Sequence, residues 1–97
     1  MSDIRFEWAS LKERANARKH GVTFTKARSV FFDENGHVVH DPDHSADADR
    51  FIILGLGSPG RTLVVCHRRR EAGDVIRIIS ARRATRAERA QYTARMR

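Results

Sequence analysis

Hydrophobic positions along the chain change period several times, and each change marks an element. Phe6 and Trp8 flank Glu7 with period two, which predicts a short first strand. A helical segment follows. Ser10 and Glu13 have capping-box spacing, Lys19 and His20 fall in the last turn, and Gly21 supplies a stop. In this helix Leu11 and Ala15 are expected to face the core, with Lys12, Glu13, Asn16 and Lys19 nearer solvent. Thr23 or Thr25 can cap a second helix carrying Phe24, Ala27, Val30 and Phe31 at helical spacing, ending near the turn-forming run 33–36. Val38 and Val39 suggest a short strand leading into an acidic loop, Asp41-Pro42-Asp43-His44-Ser45. Arg50 to Leu56, Thr62 to Arg68 and Val75 to Arg82 then read as strands. Short turns at 57–60 and 71–74 join them, which implies an antiparallel meander. Thr85 and Glu88 again have capping-box spacing and open a last helix through Tyr92 to about Met96. The economical arrangement is one α+β domain over residues 1–97. It has an antiparallel sheet, two N-terminal helices and one C-terminal helix, with the helices on one sheet face.

Composition narrows the setting. The 97 residues suit a single modest core. The longest apolar run, Phe51 to Leu56, is far short of the ~20 residues a membrane span needs. The N-terminus lacks an apolar signal core, so a cytoplasmic location is expected. A single cysteine, Cys66, excludes an internal disulfide, suits a reducing compartment and leaves no cysteine-based zinc site. Charge is distributed unevenly. Residues 1–60 carry eight Lys/Arg against nine Asp/Glu, whereas residues 61–97 carry eleven Arg against three acids. Arginine forks suit phosphate oxygens, so the second half points to nucleic acid or an acidic protein partner.

The chemistry-bearing residues concentrate in the last predicted strand. Arg77 interrupts an apolar run, and Arg82 and Arg83 stand at its end. Regular alternation puts Arg77 and Arg82 on opposite faces. These guanidinium groups can bind phosphate or stabilise charge developing on it. The competing explanation is a solvated strand edge or an ion pair with an acid such as Glu88. His67 follows Leu63 and Val65 in period two, and it can serve as general acid or base or simply hydrogen-bond within the sheet. His20 at a helix end is explained by a charge–dipole interaction, yet beside Lys19 it can also touch a substrate. His37, His40 and His44 with Asp41 and Asp43 match no closed metal-ligand spacing. The glycines at 55–60 lack the following Lys-Ser/Thr of a phosphate loop. No metal and no cofactor is expected.

Several pieces together resemble the BrnT toxins of type II toxin–antitoxin systems. They are Phe6-Glu7-Trp8, Lys12, Asn16, Lys19-His20-Gly21-Val22, Phe24, Ala27, Val30-Phe31, Asp41, Arg50-Phe51-Ile52, Gly55, Ile76-Arg77, Ile79-Ser80-Ala81-Arg82, Glu88 and Tyr92. The likeness runs from about residue 5 to 93. Ala9 and Asp49 depart from the acidic residue and the glutamate usual at those places. The resemblance implies a RelE-like fold and a metal-independent ribonuclease that inhibits translation. It implies as partners an RNA substrate and a BrnA-type ribbon-helix-helix antitoxin, in a toxin–antitoxin hetero-oligomer that reaches operator DNA only through the antitoxin. On this reading His67, Arg77 and Arg82 are the catalytic residues, and Lys19, His20, Arg83 and Tyr92 contact substrate. The alternative is a non-catalytic basic module that grips an acidic antitoxin or nucleic acid and assists repression.

Overall fold

A computed structural model of the chain describes residues 4–70, 72 and 74–96. Its elements in chain order are β1 (Arg5–Glu7), α1 (Ser10–His20), α2 (Phe24–Ser29), a 3₁₀ turn (Val30–Phe32), β2 (His37–His40), a 3₁₀ turn (Pro42–His44), β3 (Arg50–Gly57), β4 (Arg61–Arg70), β5 (Val75–Arg83) and α3 (Arg86–Arg95). Of the expected turn at 71–74, residues 71 and 73 lie outside the described residues. The strands form one sheet in the order β1-β5-β4-β3-β2. Strands β2 to β5 pair antiparallel, so the expected meander is present. The sheet is not wholly antiparallel, however. β1 pairs parallel with β5, because α1 and α2 carry the chain across the sheet between the first strand and the meander.

One face holds the main core. Phe24, Ala27 and Val30 pack with Val22 on Ile53, Leu63, Val65, Ile76, Ile78 and Ala81. Burying each large aliphatic or aromatic side chain here contributes roughly 1.5–3 kcal/mol. Gly55 permits the close approach of the Val30 turn, since a Cβ there would lie 2.8 Å from Val30 Cγ1. The opposite face is covered partly by α3, whose Tyr92 packs with Ala84 on Leu54 and Val64. The helices therefore divide between the two faces instead of sharing one. Apolar residues on both sides of β3 and β4, Ile53 beside Leu54 and Val64 beside Val65, require cover on both sides.

Helix α1 is turned relative to its expected orientation. Leu11 is 73% exposed, while Asn16 is 7% exposed. The reason is polar. Beyond Arg77, β5 has no strand on its outer edge among the described residues, because β1 pairs with Val75 to Arg77. Asn16 takes the place of a strand there. Its Oδ1 accepts from Ala81 N–H at 3.0 Å, and its Nδ2 donates to the carbonyls of Ala81 (2.8 Å) and Val22 (2.9 Å). Unsatisfied edge groups buried against a helix would be costly, so this amide decides which side of α1 faces inward. The expected Ser10–Glu13 capping box is absent: Ala9 is the N-cap without a side-chain bond, and Glu13 instead accepts from Phe24 N–H. Gly21 closes α1 in the left-handed region at φ 70°, as its sequence position implies. Thr23 caps α2, and Thr85 with Glu88 forms a complete capping box on α3.

Candidate active site

A break in β5 determines where the arginines point. Cys66 pairs with Ser80, but His67 pairs with Ile78, so Ile79 is an extra residue in β5. A bulge of this kind reverses the alternation beyond it. Ile76, Ile78 and Ala81 all face the main core, and consequently Arg77 and Arg82 both face the other way. The regular alternation expected from sequence, which set them on opposite faces, is thus corrected.

Sharing a face does not bring the two guanidiniums together. Arg77 Nη1 donates to Glu7 Oε2 at 2.6 Å, and Arg70 contacts the same carboxylate. Arg82 forms a two-pronged pair with Glu88, Nη1 to Oε1 at 2.8 Å and Nη2 to Oε2 at 2.9 Å. The Arg82 fork holds the Glu88 carboxyl down at about 2. Two of the five N–H groups of the fork are thereby engaged by carboxylate, leaving Nε–H among those free for another acceptor.

Arg82 lines a cavity of about 210 Å³. His20 from the end of α1, His44 from the 3₁₀ turn, Arg50 from β3 and Ser80 from β5 stand around it, with Cys66 and Asp41 among its walls. Asp41 is the organising group. It is 3% exposed and accepts from Asp43 N–H (3.0 Å), His44 Nδ1–H (3.0 Å), Arg50 Nε–H (3.1 Å) and the Cys66 thiol (3.6 Å). Burial opposes its ionisation, but these donors outweigh burial and hold the carboxyl below the usual range. Burial also pushes the Cys66 thiol up, which keeps it a neutral donor. Because the Asp41 carboxylate only accepts, His44 carries its proton on Nδ1 and presents Nε2 outward. Neither His44 Nε2 nor the His20 ring has a hydrogen-bond partner among the described residues. A carboxylate-oriented imidazole, a second imidazole and two guanidiniums around one cavity can exchange protons with a bound phosphodiester and stabilise its charge. Among the described residues no group of three or more His, Cys, Asp or Glu side chains is arranged to hold a metal ion.

Other expected site residues lie elsewhere. His67 is 1% exposed, set edge-on to Phe31 and stacked near Phe51, with Nδ1 donating to the Val65 carbonyl at 3.3 Å. Desolvation lowers it to about 4. The ring packs in the core, and this burial argues against the expected acid–base role and for a packing role. Tyr92 is likewise buried, and its hydroxyl donates to Asp33 Oδ2 at 2.5 Å. It fastens α3 to the turn before β2, a packing role that argues against the expected substrate contact. Lys19 is exposed on α1 outside the cavity. Arg83 points to the opposite side of the sheet end, with Gly21, Lys26 and Arg61.

Residues 8–88 match the family described as the ribonuclease toxin, BrnT, of type II toxin–antitoxin systems. The chain belongs to the BrnT family. Its fold is similar to the crystal structure of the Brucella abortus ribonuclease toxin, BrnT, with a TM-score of 0.66 at 20% identity, over 86% of this chain and 99% of that one. No curated protein matches the chain in sequence. In this BrnT chain the His44–Asp41 pair, Ser80 and Arg50, which line the cavity, were not singled out from sequence as site residues. A signal was present in Asp41-Pro42-Asp43-His44. Proline fixes the first position of a 3₁₀ turn, and such a turn sets residues three apart one above the other.

Proposed function

We propose that this chain is a metal-independent endoribonuclease toxin of the RelE-like class, acting at the cavity between His20, His44, Arg50 and Arg82. The observation that carries this reading is the Asp41-oriented His44 facing the same cavity as His20 and Arg82. In the proposed reaction His44 Nε2 takes the proton of an RNA 2′-hydroxyl. The 2′-oxygen forms a bond to phosphorus, and the bond from phosphorus to the 5′-oxygen breaks. The imidazolium of His20 gives that leaving oxygen its proton, so a 2′,3′-cyclic phosphate and a 5′-hydroxyl result. Arg82 and Arg50 stabilise the added negative charge on the phosphoryl oxygens. Cleavage of this kind blocks translation. A BrnA-type ribbon-helix-helix antitoxin restrains the toxin in a hetero-oligomer that reaches operator DNA through the antitoxin, a partnership the resemblance supports.

Purified protein incubated with RNA in excess chelator tests the proposal. Fragments bearing cyclic phosphate ends are expected, with His44→Ala lowering the rate roughly 10²–10⁴-fold and removing one limb of the pH–rate profile. Arg82→Ala is expected to relieve growth arrest in cells while the protein remains folded. Full cleavage by folded His44→Ala with an unchanged pH profile refutes the assignment.

A further inference from the structure

The cations that line the proposed cleavage cavity are already matched by carboxylates: Arg82 by Glu88 and Arg50 by Asp41. A second cavity, of about 130 Å³, differs in this respect. Lys26, Arg61 and Arg83 line it together with Gly21, Ser58 and Pro59. None of these three cations makes a hydrogen bond or ion pair among the described residues, and no carboxylate lines the cavity. Three like charges gathered around one hollow repel one another, and an anion supplied from outside would relieve that repulsion.

The position of the second cavity indicates which anion. Neighbouring residues line the two hollows: His20 and Gly21 at the end of α1, Val64 and Leu63 on β4, Arg82 and Arg83 on β5. Successive residues of a strand face opposite sides, so the cavities lie back to back across the end of the β4–β5 ladder. A chain bearing regularly spaced negative charges can rest one phosphate against Arg82 and pass round this end to place another against Arg83. Isolated acidic side chains of a folded partner provide no such repeat.

We infer that the cavity formed by Lys26, Arg61 and Arg83 is a second phosphate subsite, which holds a backbone phosphate of the same RNA strand away from the scissile bond. The inference rests on the ribonuclease reading in taking RNA as the ligand. All three side chains are exposed, so their replacement leaves the core untouched.

The test uses a single-stranded 2′-O-methyl oligoribonucleotide, which binds but cannot be cleaved, and measures its affinity across salt concentrations by fluorescence anisotropy. The triple variant Lys26→Ala/Arg61→Ala/Arg83→Ala is compared with a charge-matched control, Arg14→Ala/Arg18→Ala/Arg28→Ala, after thermal midpoints show both to be folded. Each phosphate contact on a single strand contributes about 0.7 to the slope of log affinity against log salt. The subsite variant is expected to lose about that much slope and on the order of tenfold in affinity, with the control keeping most of both. Equal losses in variant and control overturn the subsite while leaving the cleavage reading intact. Absence of any oligonucleotide binding by the unaltered protein overturns both. Retained RNA affinity with lost affinity for poly-glutamate overturns the subsite in favour of an acidic protein partner.

Discussion

Replacing His67 by phenylalanine should make the protein more tolerant of mild acid. The His67 imidazole is 1% exposed, and desolvation lowers it from 6.5 to about 4. In the unfolded chain the ring takes a proton near its ordinary value, whereas in the folded chain it stays neutral until the pH approaches 4. Between these limits the unfolded state binds more protons, so stability falls as pH falls and is fully present only above about 6.5. The full difference corresponds to about 3 kcal/mol, of which about 2 kcal/mol is lost between pH 6.5 and 4.5. The carboxyls held low, Asp33, Asp41 and Glu88, act with the same sign but over a more acidic range. Urea denaturation at half-unit steps from pH 7 to 4.5, followed by circular dichroism, gives the slope for each protein. Phenylalanine retains a ring against Phe31 and Phe51 and gives up only the 3.3 Å bond to Val65. Its stability should therefore change about 2 kcal/mol less than that of the unaltered chain over this window. If the two slopes coincide, His67 is not the buried neutral group described, and its removal from the catalytic set loses its main support.

Asn16→Ala strands the N–H and C=O of Ala81 on the covered edge of β5, and a loss of about 2–4 kcal/mol is expected in the same denaturation assay, with α1 the first segment to gain hydrogen exchange. A loss under 1 kcal/mol would mean that water replaces the amide without cost. Tyr92→Phe removes the bond to Asp33 and should cost about 1–2 kcal/mol, with the rate of RNA cleavage unchanged, as measured on a labelled oligonucleotide. A drop in cleavage at full stability would return Tyr92 to the site.

The elements were largely legible because their signals are local. Thr85 and Glu88 cap α3 through their own backbone neighbours, and Gly21 ends α1 through its own φ. The failures arose where a distant partner decides. Leu11 and Ala15 are the only apolar choices on their side of α1, so periodicity favoured them. The free edge of β5, 65 residues away from Asn16 in sequence, reversed that preference. The bulge at Ile79 is equally invisible in the run Ile78-Ile79-Ser80, since an inserted residue leaves composition unchanged while inverting every face beyond it. For the site, residue type was informative and position was not. His67 and His44 are both histidines near arginines, but only burial against Phe31 and the bond to Asp41 tell a core ring from an exposed base.

The same distinction governs the charge. Along the chain all of the surplus positive charge lies after residue 60, yet folding redistributes it. Glu7 of the first half pairs with Arg70 and Arg77, and Asp47 pairs with Arg68. Arg69 lies over the Phe51 ring, and Arg82 is held by Glu88. The acids of the acidic half thus neutralise one end of the basic strands, the end that carries the β4–β5 turn. Arg61 and Arg83 lie at the other end and have no such partner among the described residues. A polyanion approaching the sheet is consequently drawn toward the end that holds the Lys26–Arg61–Arg83 hollow, next to the Arg82 side of the His20–His44 cavity. Opposite charges placed far apart in sequence serve to localise the field, which a count along the sequence cannot reveal.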